Sequence, residues 1–364
     1  MGEGIRSDEM RVTIGLLVSR SNKKLRQRIP DLTDLAECSK GGEVVAFSLK
    51  GIRKTTNVIN GYMYCSKEKN WNRSTFPMPD VIINQISLSH KWERYFTKVV
   101  GEKMINNFTF SKWELYEWFS QHNRYHNYLP YTERLDEPNK VLTFLQEKQE
   151  AYLKPIFGSY GKGIMKITKR EDVYQVKVRS KKKITTFYWN QQELLLYIQK
   201  TCKPKTYIIQ QVIDLYIRNR PIDFRLITVK KRIGEWENIG LLARKGSEGE
   251  VVSNTGLVKA GNSGLQNLLS LPKWKSIELR NKMSQLAIGM AQHMEKYKSE
   301  GGNLGNLGFD FAVDKNQNLW LLEMNHRNPR HQMAVDAGMH AMYVQANQLV
   351  MDYATSLAQQ SSFE

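Results

Sequence analysis

LGFDFAVDKNQNLWLLEMN, residues 307–325, is the stretch on which the reading of the whole chain turns. Folded about Asn316-Gln317 it becomes a β-hairpin in which Asp310 lies directly opposite Glu323. Side chains two apart on a strand share a face. One face then carries Phe309, Phe311, Val313, Trp320, Leu322 and Met324, and the other carries Asp310, Asp314, Glu323 and Asn325. A slip of one residue would turn carboxylates into the core, so the pattern itself specifies the register. Two opposed carboxylates repel by roughly 3 kcal/mol at ~5 Å and an effective dielectric of ~20. A divalent cation between them reverses that sign. Asp310, Glu323 and Asn325 offer oxygen only, which suits a hard ion, magnesium with manganese as the substitute. A solvated acidic strand face accounts for the same residues equally well, and the rest of the chain has to separate the two.

Upstream of this hairpin the chain alternates strand-like and helix-like stretches. VTIGLLVS, EVVAFSL, GYMYC and DVIINQIS, with a helix-like span at 31–39, predict a small α/β unit. A helix at 91–105 follows, then one opened by a Ser111/Glu114 capping box, with Leu115, Trp118 and Phe119 at helical spacing as core residues. The segment 127–138 reads as a loop and 139–149 as a short helix. Beyond residue 151 the pattern is rich in strands, interrupted by a long helix at 276–298 and closed by one at 339–357. The fold class is therefore α+β joined to α/β.

At 364 residues the chain can hold two or three lobes, and 41% hydrophobic content describes a globular protein. No apolar run approaches the ~20 residues of a membrane span, and MGEGIRSDEM at the start has no signal-peptide core. Cys38, Cys65 and Cys202 are far apart and form no CxxC pair, which argues for a reducing, cytoplasmic setting. The formal charge of +18 raises nucleic-acid binding as a reading. Its first suspect, KVRSKKK at 177–183, lies between two strand-like stretches and reads as a solvated hairpin tip; no nucleic-acid motif accompanies it. Nucleic acid ranks last among the candidate partners.

Four further segments bear on chemistry. In YLKPIFGSYGKGIMKI, 152–167, Gly158, Ser159, Gly161, Lys162 and Gly163 form a turn between strands whose N–H groups could approach phosphate oxygens, with Lys154 adding charge. Ile164 and Met165 stand where a Walker A loop needs Lys and Ser/Thr, so it is not one. YIIQQVIDL, 207–215, is a strand running into a Val-Ile hinge. In NRPIDFRLITVKK, 219–231, Asp223 and Arg225 project from one face, opposite Leu226 and Thr228, and a carboxylate-held Arg suits phosphate or carboxylate. ARKGSEGEVVSNTG, 243–256, brings Arg244 and Asn254 to either side of a glycine-rich turn.

Taken in order, these segments resemble the ATP-grasp superfamily, in which nucleotide lies between two α+β lobes. Through FPMPDVIINQI, KWELYEW, YLKPIFGSYGKGI, IQQVIDL, RPIDFRLI, ARKGSEGEVVSN and LWLLEMN, spanning 76–325, the chain more closely resembles the YheC/YheD family of endospore coat-associated proteins. The resemblance implies an N-terminal pre-ATP-grasp-like domain at 1–108, an ATP-grasp domain at 109–358 with its lid at about 150–213, and a frayed tail at 359–364. It implies Lys154 and the 158–163 turn on the phosphates, Gln210, Gln211 and Ile213 at adenine, and Asp223 beside the nucleotide. Arg225 and Arg244 would stand near the γ-phosphate or an acyl phosphate, with magnesium on Asp310, Glu323 and Asn325. Asn254, His326, Arg327 and Arg330 are then the substrate-side candidates. Asn306, Ala260-Gly261 and the run His326-Arg327-Asn328-Pro329 depart from the superfamily pattern. The function implied is an ATP-dependent, ADP-forming carboxylate–amine (or thiol) ligase acting on small molecules or peptides. The alternative is a non-catalytic spore-associated module; spore-coat proteins and a second copy of the chain complete the partner classes.

Overall fold

The computed structural model describes residues 12–158, 161–180, 183–217, 220–253, 256–297, 302–329 and 331–360. They build three sheets. The first is centred on strand Thr13–Ser19, with Glu43–Ser48 and Val81–Asn84 parallel on either side. Antiparallel Val58–Cys65 and Asn70–Phe76 extend one edge. Both faces of the central strand are apolar and both are covered, as parallel strands require. Ile14, Leu16 and Val18 meet Leu25, Leu32 and Ala36 from the helices Asn22–Arg28 and Thr33–Glu37 and the segment between them. Leu17 packs on the other side with Phe96 of helix His90–Val100.

The second sheet is wholly antiparallel, in the order Lys183–Trp189, Val173–Ser180, Met165–Arg170, Glu150–Pro155, Tyr207–Gln211, Thr132–Arg134. Its outer face is covered by Asn139–Lys148 and Gln191–Thr201, through Phe144, Leu145, Leu194 and Ile198. The second of these helices, opened by an Asn190/Glu193 capping box, and the short strand Thr132–Arg134 lie where the sequence suggested only strands and a loop. The cationic run at 177–183 is not solvated along its length. Arg179 is buried and its Nε lies 3.1 Å from Glu250 Oε2.

The third sheet runs Leu257–Ala260, Glu235–Lys245, Arg220–Arg232, Asn306–Val313, Leu319–Asn325, again antiparallel. Helices Lys112–Ser120, Gly261–Leu268 and Lys273–Met294 cover one face. Gly261–Leu268 comes so close that a Cβ on Gly264 would lie 2.2 Å from that of Ala243. The opposite face changes chemistry along its length. Ile227, Val229 and Leu242 lie under the terminal helix His340–Gln359, which is wedged between the first and third sheets. Asp223 and Arg225, on the same strand face, lie beyond that helix in a cleft. Gln359 closes the terminal helix, and 361–364 lie outside the described residues.

The hairpin has the expected register at its decisive point, Asp310 opposite Glu323. It then departs from strict alternation. Phe311 pairs with Leu321, leaving Leu322 as the extra residue of a β-bulge. The phase of the second strand is therefore reversed beyond that point. Leu319 and Leu321, not Trp320 and Leu322, join Phe309, Phe311, Val313 and Met324 in the core. Leu322 turns to the cleft, and Trp320 Nε1 donates to Asp314 Oδ2 at 2.9 Å. Asp314 also accepts from the backbone N–H of Asn316 and Asn318, both at 2.9 Å, so it organises the turn rather than the acidic face.

Candidate functional site

The three sheets enclose a cleft of about 820 Å³, within the ~300–1,000 Å³ range of small-molecule sites. The ends of the parallel strands Thr13–Ser19 and Val81–Asn84 open onto it, the usual placement of ligand crevices in such sheets.

Its third-sheet wall is a buried ionic cluster. Arg225, Asp310 and Glu323 form one row across three neighbouring strands, with Asp223 and Arg244 paired two positions along. Arg244 grips Asp223 with Nε at 2.6 Å and Nη2 at 2.5 Å, and the same Nη2 lies 2.9 Å from Asp310 Oδ1. Arg225 binds Asp310 through both Nε and Nη2, the latter at 2.8 Å, while its Nη1 donates to the Pro329 carbonyl at 3.1 Å. Each of the four charged side chains belongs to a residue at most 6% exposed. Burial alone would raise the Asp310 carboxyl; the two guanidiniums more than reverse this and hold it below the usual carboxylate range.

Asn325 Nδ2 donates to Asp310 Oδ2 at 3.2 Å, bringing the third candidate metal donor to the same point. Among the described residues no three His, Cys, Asp or Glu converge. The candidate set is two carboxylates and an amide. These hard oxygen donors, held by adjacent strands, fit magnesium, with the arginines serving as Asp310's present counter-charges.

The second-sheet wall is less crowded with charge. Lys154 Nζ donates to Gln210 Oε1 at 2.5 Å, and Gln210 Nε2 donates to Thr132 Oγ1 at 3.0 Å. Desolvation pushes the Lys154 ammonium down to about 8, with Glu323 pulling it up and Lys112 pushing it further down. Gly158, Gly161, Gln211 and Ile213 line the same cleft. Gly161, at φ +69°, lies so close to Arg179 that a Cβ would sit 2.8 Å from the guanidinium. Gly163 packs instead against Pro155 and Tyr207, and Lys162 is exposed; neither lines the cleft.

His326 and Arg327 also line it. His326 is buried and stacked on Phe110 with ring centroids 3.9 Å apart. Burial first, then the charges of Arg327 and Lys112, hold its imidazole well below its ordinary value. Its Nε2 has no hydrogen-bond partner among the described residues. Ser159, Asn254 and Arg330 lie outside the described residues. Of the departures noted in the sequence, Asn306 is tied to His331 Nε2 at 2.9 Å, a structural link.

Several cleft residues had no signal in the sequence. Lys112 Nζ lies 3.3 Å from Glu323 Oε1 and donates to the Gly158 carbonyl at 3.1 Å, so it joins two walls. The only hint was its position just inside the Ser111 cap. Arg20, Lys24 and Arg28 reach the cleft from the first sheet's side, a placement no motif announced.

A cleft among three such sheets, with oxygen donors on one wall and a glycine-rich turn and lysine on another, defines the ATP-grasp class. The YheC/D like ATP-grasp family model matches residues 101–357, and the chain belongs to that family. Over 335 residues it is 24% identical to the endospore coat-associated protein YheD of Bacillus subtilis (strain 168), covering 88% of this chain and 72% of that one. It is also 24% identical over 340 residues to YheC of the same organism, covering 88% and 89%. Among solved structures it is similar to D-alanyl-alanine synthetase A from Vibrio cholerae (TM-score 0.58, 11% identity, 96% of this chain and 98% of that one). It is likewise similar to the biotin carboxylase domain of the Hydrogenobacter thermophilus 2-oxoglutarate carboxylase, solved with MgADP and bicarbonate (TM-score 0.51, 14% identity, 97% and 71%). These two likenesses concern the fold. Among the described residues no helix is long and apolar enough to cross a membrane.

Proposed function

We propose that the protein is an ATP-dependent, ADP-forming ligase that joins a carboxylate to an amine or thiol through an acyl phosphate. The observation that carries this reading is the meeting of Asp310, Glu323 and Asn325 with Lys154 and the glycine-rich turn in one cleft. Lys154 and the turn hold nucleotide phosphates, and Gln210, Gln211 and Ile213 meet the base. Asp223 fixes Arg244, which with Arg225 faces the transferring phosphoryl group. Magnesium, or manganese in its place, would be held by Asp310, Glu323 and Asn325 and would neutralise phosphate charge.

In the first step an oxygen of the substrate carboxylate forms a bond to the γ-phosphorus, and the bond to the bridging oxygen breaks, releasing ADP. In the second, the amine nitrogen attacks the acyl carbon, inorganic phosphate departs with its oxygen, and the nitrogen loses a proton. No side chain needs to become covalently attached; the protein supplies position, charge and exclusion of water. The division into 1–108 and 109–358, with a lid at about 150–213, follows the same reading. Association with the endospore coat follows from the names of the relatives YheC and YheD.

Titration of the purified protein with a non-hydrolysable ATP analogue tests this directly. Binding should require magnesium or manganese, and Glu323→Gln should weaken it by about tenfold or more. Wild-type protein with no nucleotide affinity overturns the proposal. The engagement of both Asp310 oxygens by side chains favours a second reading, a non-catalytic module that keeps the fold. Tight nucleotide binding without ADP release on any amino acid or short peptide would select it.

A further inference from the structure

Among the described residues, eight guanidinium or ammonium groups line the cleft against three carboxylates. All three carboxylates are committed: Asp223 and Asp310 to Arg244 and Arg225, and Glu323 to Lys112. Lys154, on the second-sheet wall, has a neutral partner in Gln210. Arg20, Lys24 and Arg28 line the cleft from the first sheet's side, and Arg327 from the end of the third sheet. Arg20 donates to the Ser87 carbonyl at 3.0 Å and Arg28 to Gln85 Oε1 at 3.1 Å, so both are oriented by neutral oxygens. A carboxylate near Arg28, Asp31 at 3.4 Å, is itself 66% exposed and offsets little of its charge. Lys24 is exposed beside them, and among the described residues no carboxylate pairs with Arg20, Lys24 or Arg327.

Arg327 ties this group to the metal-side wall. It follows the Leu319–Asn325 strand by two residues and lines the same cleft as Arg20 from the first sheet's side. Four cations, three from the first sheet's side and one from the end of the third, thus line the cleft, and among the described residues none of them has a buried carboxylate at ion-pair distance. A like-charge cluster of this kind opposes its own assembly, and an anion between the groups relieves it. A single carboxylate, which ligation would direct toward the γ-phosphate, does not offset four cations. Fork-shaped guanidiniums suit further planar carboxylates.

We propose that Arg20, Lys24, Arg28 and Arg327 form a subsite for a substrate bearing two or more carboxylates, an acidic peptide or acidic amino acid. This rests on the ligase reading and gives it a substrate class. One carboxylate is activated, and the others are held by the first-sheet cations and Arg327.

Isothermal titration of the full chain with magnesium and a non-hydrolysable ATP analogue, followed by tri-L-glutamate, tri-L-alanine or tripolyphosphate, tests it. Tri-L-glutamate should bind at least about tenfold more tightly than tri-L-alanine. The Arg20→Gln/Lys24→Gln variant should erase most of that preference while retaining its nucleotide affinity. Both side chains are exposed, so folding is not at stake. Equal binding of the two peptides, a preference that survives the double substitution, or tighter binding of tripolyphosphate than of tri-L-glutamate overturns the assignment. With nucleotide binding intact, those results leave the ligase reading standing. Absence of nucleotide binding by the wild type takes both down.

Discussion

The two walls of the cleft that face nucleotide in the proposed function are built on opposite principles. On the third sheet, Asp223, Arg225, Arg244 and Asp310 neutralise one another in a buried cluster above the largest core of the molecule. On the second sheet, Lys154 stands over a sheet with its own separate core and donates to a neutral amide. One wall completes its electrostatics on folding. The other holds a desolvated cation that, in the proposed function, nucleotide phosphate would complete. Substitutions in the first should therefore register mainly as lost stability, and those in the second mainly as lost binding.

The largest effect should come from breaking the buried cluster. Asp310→Asn leaves two guanidiniums short of a carboxylate and should cost about 3–5 kcal/mol in urea denaturation. Glu323→Gln, in the same row but with a side chain 34% exposed, should cost under about 1 kcal/mol. Equal losses would show that burial does not distinguish the two carboxylates. Next in size is a test of the bulge that shapes this wall. Leu321→Ala should lose about 2–5 kcal/mol and Leu322→Ala under about 1 kcal/mol, because Leu321 lies in the core and Leu322 faces the cleft. The reverse ranking would restore unbroken alternation.

On the second wall, Lys154→Ala should shift stability by about 1 kcal/mol or less but weaken nucleotide binding by about tenfold or more. Its pH dependence has a definite sign. The ammonium is the form that would bind phosphate, and burial pushes it down to about 8, below the usual lysine range. Nucleotide affinity should therefore be full below that pH and decline as pH rises through about 8, whereas Lys154→Arg should hold its affinity there. The smallest effect tests the link between the walls. Lys112→Met removes a charge that lowers Lys154, so the midpoint of the wild-type profile should move upward, with under about 1 kcal/mol lost in stability. A flat affinity profile from pH 7 to 9 would remove Lys154 from the phosphate site.

Much of this arrangement is legible in local pattern. The register of the hairpin follows from where its apolar residues stop, since a slipped pairing buries carboxylates. The Ser111/Glu114 cap and the alternation of Asp223 and Arg225 against Leu226 and Thr228 are equally local. The bulge at Leu322 was not legible. Both Leu321 and Leu322 are apolar, so hydrophobicity alone does not say which one the core accepts. Arg179 was misread for a related reason. Its cationic run looks solvated, and the approach of Glu250, 71 residues away, helps make its burial tolerable.

By itself the sequence determined the capped helix at Ser111, the opposition of Asp310 to Glu323 and the glycine-rich turn at Gly161, because these depend on local residue pattern. Tertiary structure alone decided which charges are spent and which are free. Arg225 and Arg244 are quenched by carboxylates on adjacent strands, Lys112 bridges two walls, and Arg20, Lys24 and Arg28 from the first sheet's side line the same cleft as Arg327. Electrostatic interaction depends on distance through space and on burial, and neither is written in sequence separation.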